Sequence, residues 1–88
     1  MIHQQLSIQN KRGLHTRAAA KLVDTAKKFA SRIEVQYQNR TADCKSIMGV
    51  ITLGAQKEDV VRFIITGEDE KEAAQAISEL INNKFGEE

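Results

Sequence analysis

The stretch Val60-Val61-Arg62-Phe63-Ile64-Ile65-Thr66-Gly67-Glu68-Asp69-Glu70-Lys71-Glu72 changes from a strand pattern to a helix pattern within a few residues. Val60 to Thr66 is the most β-prone run of the chain, and Gly67 ends it. Asp69, with Glu72 three residues later, predicts a capping box that opens a helix. The apolar residues of that helix share one stripe and are Ala73, Ala76, Ile77, Leu80 and Ile81. This stretch therefore predicts a strand followed directly by an amphipathic helix.

The sequence before this stretch predicts five further elements from its apolar spacing and its turn residues. They are a strand over Ile2 to Ile8, a helix from Thr16 to Phe29, a strand over Ile33 to Tyr37, a strand around Thr41 to Asp43, and a brief helix capped by Ser46 and ended by Gly54. The order is βαββαβα, with no proline and no linker of low complexity. We expect one α+β domain over residues 1–88, in which helices cover one face of a four-stranded sheet.

Length and composition exclude several classes of protein. A chain of 88 residues with one cysteine forms one small domain without an internal disulfide, and it offers little room for a large enzyme cleft. The first ten residues lack the pattern of a secretory signal, and no apolar run approaches the roughly 20 residues that span a bilayer. We therefore expect a cytoplasmic protein that does not insert into membranes.

The charges are distributed unevenly along the chain. Residues 1–57 contain 10 Lys and Arg against 3 Asp and Glu, whereas residues 58–88 contain 3 against 9. This asymmetry favours a basic face that meets an acidic partner or ligand. The alternative is that these charges only solvate the surfaces of the helices.

The segment Gly13-Leu14-His15-Thr16-Arg17 lies where an extended run gives way to the first predicted helix. A histidine at this place meets the positive end of a helix dipole, unpaired backbone N–H groups and the adjacent guanidinium of Arg17. These groups suit a phosphoryl group, and imidazole accepts and releases such a group readily. The alternative is a polar residue that merely stands near the start of a helix. No supporting ligand lies at metal-binding spacing, so we expect neither a metal nor a cofactor.

Together with Lys45-Ser46-Ile47-Met48-Gly49 and Gly67-Glu68-Asp69-Glu70, this histidine motif resembles the HPr family, the histidine-containing phosphocarriers of the bacterial sugar phosphotransferase system. The resemblance covers essentially the whole chain. It implies an open-faced β-sandwich with an antiparallel sheet. It also implies a monomeric carrier without turnover of its own, which takes a phosphoryl group from enzyme I and passes it to IIA domains of sugar permeases.

The resemblance also assigns the residues of the acceptor site. His15 would accept the phosphoryl group on Nδ1, Arg17 would clamp it, and backbone N–H groups at Thr16, Arg17 and Ala18 would receive its oxygens. The family motif usually continues with proline, where this chain has Ala18. Alanine frees the backbone and adds an N–H donor, so the departure bears on the geometry around His15.

Ser46 is either a helix cap or a regulatory phosphorylation site, and the resemblance favours regulation by a serine kinase/phosphorylase, with a transcriptional regulator as a further partner. The short helix after it carries apolar residues that cannot all point inward, although core packing is the alternative for Ile51. The predicted surface for partners comprises Ala20, Lys21, Lys27, Lys45, Ile47, Met48 and Ile51.

Other functions compete with the sugar phosphocarrier. A regulatory binding module of the same fold would act through protein contacts without carrying phosphate, and His15 argues against it. A related carrier of nitrogen regulation remains an alternative. Nucleic-acid binding is disfavoured because the strands lack an aromatic platform for stacking bases.

Overall fold

A computed structural model describes residues 1–87. Its elements are β1 (Ile2–Ser7), α1 (Thr16–Ala26), β2 (Arg32–Tyr37), β3 (Arg40–Asp43), α2 (Ile47–Thr52), β4 (Val60–Thr66), α3 (Glu70–Asn82) and a 3₁₀ segment (Lys84–Gly86). The predicted order βαββαβα is confirmed, and the 3₁₀ segment is an addition that the sequence pattern did not indicate.

The four strands form one antiparallel sheet in the order β1-β4-β2-β3. Strand β4 pairs with both β1 and β2, and its alternate residues Val61, Phe63 and Ile65 are fully buried, whereas Arg62 is exposed. The helices pack together on the buried face, with α1 against α2 and α3, and with α3 over β1 and β4. The structure is therefore the open-faced α+β sandwich that was predicted.

The core between sheet and helices is filled by large aliphatic and aromatic side chains. The largest fully buried side chains include Phe63, Phe85, Leu22, Ile33 and Ile77. Burying a side chain of this size stabilises the fold by about 1.5–3 kcal/mol. Phe85 belongs to the 3₁₀ segment, so the core also fixes the residues that follow α3.

Helix α1 ends at Ala26, three residues before the predicted end at Phe29. The backbone N–H groups of Lys28 and Phe29 bond to carbonyls three residues earlier, which tightens the chain into a turn. The apolar spacing did not show this change because Phe29 still packs against the core. The longest helix, α3, has 13 residues, and no helix within residues 1–87 has the length and hydropathy to cross a membrane.

The capping box predicted for Asp69 and Glu72 was wrong. The Asp69 carboxylate instead accepts hydrogen bonds from the Ser31 hydroxyl and from the backbone N–H groups of Ala30 and Ser31, the latter two at 2.8 and 2.9 Å. These bonds, first among them that from the Ser31 hydroxyl, hold the pKa of the Asp69 carboxyl below its usual value. Asp69 therefore joins the start of α3 to the start of β2, because three donors from another segment outcompete one local cap.

Candidate functional site

His15 is the N-cap residue of α1 and connects the loop after β1 to the helix. Its carbonyl oxygen accepts from the Ala19 N–H at 2.8 Å, while its backbone is extended. Just before it, Leu14 is buried and its N–H donates to the Ala55 carbonyl at 3.0 Å. The imidazole is 22% exposed, so it is held by a fixed backbone and remains accessible.

The first residues of α1 supply backbone donors beside this imidazole. Helix geometry leaves the N–H groups of Thr16, Arg17 and Ala18 without partners inside the helix. Ala18 has a fully buried side chain and occupies the helix without interrupting it. The start of α1 thus offers aligned donors and the positive end of a helix dipole to an anion bound at His15.

A basic cleft of about 410 Å³ adjoins this end of α1. Its lining residues are Lys11, Arg12, Arg17, Lys21, Gly86 and Glu87. Arg17 is exposed and makes no side-chain hydrogen bond or ion pair within residues 1–87, which leaves all its donors available. The concentration of positive charge is suited to a doubly charged phosphoryl group.

Glu87 contacts His15, and the sequence analysis did not indicate this contact. Its Oε2 lies 2.5 Å from His15 Nε2, and its Oε1 accepts from Asn10 Nδ2 at 3.0 Å. Burial disfavours the charged form, but the hydrogen bonds from His15 and Asn10 outweigh burial and lower the pKa of the Glu87 carboxyl. Since 72 residues separate Glu87 from His15, no local motif could have indicated the contact.

Ser46 lies at the start of α2, as predicted, and its Oγ accepts from the Gly49 N–H at 3.2 Å. The residue is exposed, and α2 packs against α1 and β3. Ile47 and Met48 are 40% and 69% exposed, whereas Ile51 is half-buried against the core. The structure therefore contains an exposed apolar pair beside Ser46, with Ile51 at its inner edge.

The lysines predicted around this apolar pair differ in their contacts, since one is exposed and two donate hydrogen bonds to backbone carbonyls. Lys27 is exposed, but Lys21 donates to the Phe85 carbonyl at 2.6 Å and Lys45 donates to the Phe29 carbonyl at 2.9 Å. Ala20 is half-buried on α1. Lys21 and Lys45 thus hold neighbouring segments of the chain in addition to contributing positive charge.

Comparison with known proteins finds similarity along nearly the whole chain. Residues 2–83 match the family model described as PTS HPr component phosphorylation site. The phosphocarrier protein HPr of Xylella fastidiosa is 48% identical over 87 residues, which cover 99% of this chain and 98% of that protein. The phosphocarrier protein HPr of Cupriavidus necator is 44% identical over 87 residues, which again cover 99% of this chain and 98% of that protein.

Solved structures agree with this match. The crystal structure of HPr-C-His from Thermoanaerobacter tengcongensis aligns with a TM-score of 0.95 at 46% identity, covering 100% of this chain and 99% of that one. A crystal structure described as an HPr dimer from the same organism aligns with a TM-score of 0.79, covering 99% of this chain and 100% of that one. HPr from Bacillus anthracis aligns at 0.87 with 28% identity, covering 91% of this chain and 95% of that one.

Proposed function

Since this chain belongs to the HPr family of phosphocarrier proteins, we propose that His15 accepts a phosphoryl group from phosphorylated enzyme I and passes it to IIA domains of sugar permeases. The observation that carries this proposal is the position of His15, an accessible imidazole at the start of α1 beside Arg17 and the basic cleft. The protein would act in the cytoplasm as a monomer, as an intermediate in transfer without turnover of its own.

The proposed step needs little machinery beyond position and charge. A lone pair on Nδ1 of His15 attacks the phosphorus carried by enzyme I, and the phosphorus bond to the donor breaks with its electron pair left on the donor. The backbone N–H groups of Thr16, Arg17 and Ala18 and the Arg17 guanidinium would receive the phosphoryl oxygens, which the start of α1 and the adjoining basic cleft support. Transfer to a IIA domain is the same step in the opposite direction.

The proposal is tested by intact mass after incubation with phosphoenolpyruvate and catalytic enzyme I. We expect the parent chain to gain one phosphoryl group that is lost in acid, because phosphate bound to imidazole nitrogen is released readily. His15→Ala is expected to gain none, whereas His3→Ala, which removes an exposed histidine of β1, is expected to gain one. A parent that gains no mass with a cognate enzyme I, both as it is and as Ala18→Pro, would exclude the carrier function.

We further propose that Ser46 is a regulatory phosphorylation site, acted on by a serine kinase/phosphorylase and read by a transcriptional regulator. Support comes from its exposure, from its place at the start of α2 and from the adjacent apolar pair of Ile47 and Met48. A phosphate there would be tolerated by the helix dipole, so the fold would be retained. The added negative charge would instead oppose docking to an acidic partner.

Ser46→Asp is therefore expected to slow phosphorylation of His15 by about five- to tenfold at low salt, since a charge at the rim of an interface mainly changes association. The rate is measured with enzyme I in limiting amount. Ser46→Ala removes the cap without adding charge, and Thr41→Asp adds charge on the exposed face of the sheet. Both controls should keep the parent rate, and a Ser46→Asp rate equal to theirs would contradict the proposal.

A further inference from the structure

We propose that Glu87 is a positioning residue that holds the His15 imidazole with its proton on Nε2, so that Nδ1 presents the lone pair that attacks phosphorus. This inference rests on the proposed function, because it explains how the acceptor nitrogen is selected. It concerns a contact between two distant parts of the chain that the family pattern over residues 2–83 does not contain.

The contact itself defines which ring nitrogen carries the proton. Glu87 Oε2 lies 2.5 Å from His15 Nε2, within hydrogen-bonding distance. An ionised carboxylate only accepts hydrogen bonds, so Nε2 must donate. In a neutral imidazole the other nitrogen, Nδ1, is then unprotonated. The carboxylate is only 15% exposed, so water competes little for this bond.

The second oxygen of Glu87 has a partner that also can only donate to it. Asn10 Nδ2 donates to Glu87 Oε1 at 3.0 Å and to the Gly13 carbonyl at 2.8 Å, and Asn10 is fully buried. Reversing the Asn10 amide would point its oxygen at two acceptors, so the orientation is fixed. Each carboxylate oxygen of Glu87 therefore accepts one hydrogen bond, Oε1 from Asn10 and Oε2 from His15.

The backbone conformation of the residues before Glu87 directs its carboxylate toward His15. Lys84 and Phe85 have positive φ angles of 56° and 57°, which are uncommon for residues other than glycine. This conformation is held because the Phe85 ring is fully buried and its carbonyl accepts from Lys21 at 2.6 Å. The contact with His15 is thus supported by the core and by α1.

The proposed geometry fits the charge changes of phosphoryl transfer. When Nδ1 attacks, no proton has to leave the ring, and the imidazole acquires positive charge as the new N–P bond forms. Nε2 keeps its proton and continues to donate to Glu87, so the carboxylate lies beside the charge as it develops. When the phosphoryl group is passed on, the electron pair returns to Nδ1 and the ring is neutral again.

Glu87→Gln tests this inference because an amide offers one acceptor and one donor in place of two acceptors. Asn10 Nδ2 would donate to the oxygen of the new amide, so the amide NH₂ would face His15 Nε2. Nε2 would then have to accept a hydrogen bond, and the ring proton would lie on Nδ1. We expect the ¹⁵N shifts of the His15 ring, recorded where imidazole is neutral, to report this exchange of tautomer. We also expect phosphorylation by enzyme I to slow about tenfold, the rate equivalent of one hydrogen bond to a charged group.

Two controls separate ring positioning from loss of charge or of structure. Glu72→Gln removes one negative charge from the exposed first turn of α3 and should leave the tautomer and the rate unchanged. The ring signals of His3 provide an internal reference in every spectrum. A parent with the proton on Nδ1, an unchanged tautomer in Glu87→Gln, or equal rates for Glu87→Gln and Glu72→Gln would overturn the inference.

The two readouts also distinguish this inference from the proposed function. The tautomer is measured on the free protein, so it decides the role of Glu87 even if enzyme I adds no phosphoryl group. Phosphorylation of His15 with an unchanged tautomer would retain the carrier function and remove Glu87 from it.

Discussion

Replacing Gly13 with alanine is expected to lower the free energy of unfolding by about 3 kcal/mol, the sum of left-handed strain and a steric clash. Gly13 has φ of 66°, and a Cβ placed there would lie 2.6 Å from the Ala55 carbonyl oxygen and 2.8 Å from the Gln56 Cα. Both are backbone atoms, so neither can move aside as a side chain would. The shift would also stretch the bond from the Leu14 N–H to Ala55 and displace His15.

The measurement is urea unfolding followed by circular dichroism, with Gly54→Ala as the matched control. Gly54 has φ of 73°, and among residues 1–87 no atom beyond its chain neighbours lies within 4 Å of a Cβ placed there, so the control carries strain without the clash. We expect it to lose only about 1 kcal/mol. Phosphorylation of His15 should slow in Gly13→Ala and stay at the parent rate in Gly54→Ala. Equal losses of stability in the two variants would show that the clash with the Ala55 carbonyl does not contribute, which contradicts the prediction.

Replacing Phe85 with alanine is expected to cost about 3–5 kcal/mol, because the substitution empties a fully buried aromatic site. The loss would extend to function, since the buried ring keeps Lys84 and Phe85 in their left-handed conformations and so directs Glu87 to His15. The free energy is measured by denaturant unfolding. Ring ¹⁵N shifts of His15, recorded at denaturant concentrations below the unfolding transition, report the loss of its contact with Glu87.

Phe29→Ala is the control for this second prediction, since it makes the same change at a side chain that is only half-buried. It should lose roughly half as much free energy, in proportion to the smaller apolar area removed from the core, and it should leave the His15 tautomer unchanged. A loss for Phe85→Ala no greater than that for Phe29→Ala would contradict the anchoring role of Phe85.

Local patterns predicted the frame of the site. The start of α1 at Thr16, the apolar spacing of α1 and the Ser46 cap each depend on neighbours within a few residues, and the structure confirms all three features. The open-faced sheet was also predicted, because strand alternation and helix spacing together limit the topology. The resemblance to the HPr family added the proposed role of His15, which spacing alone left undecided.

Features that depend on distant partners were not predicted. The Asp69 carboxylate accepts three hydrogen bonds from residues 30 and 31 and forms no local capping box. These donors reach Asp69 only because the start of α3 lies beside the start of β2. Glu87 stands in a short acidic segment with no motif, and its contact with His15 depends on the burial of Phe85. Such contacts are decided by tertiary structure rather than by local propensity.

The bridge between His15 and Glu87 also has a consequence for synthesis of the protein. A ribosome makes residues 84–87 after the helix that begins beside His15 and after all four strands of the sheet. While residues 84–87 are still inside the exit tunnel, the nascent chain already contains His15, the proposed nucleophile, but the Glu87 carboxylate cannot yet contact its ring. Competence for phosphoryl transfer would then arise only once residues 84–87 have left the tunnel, so chains that stop before Glu87 would take up little phosphate.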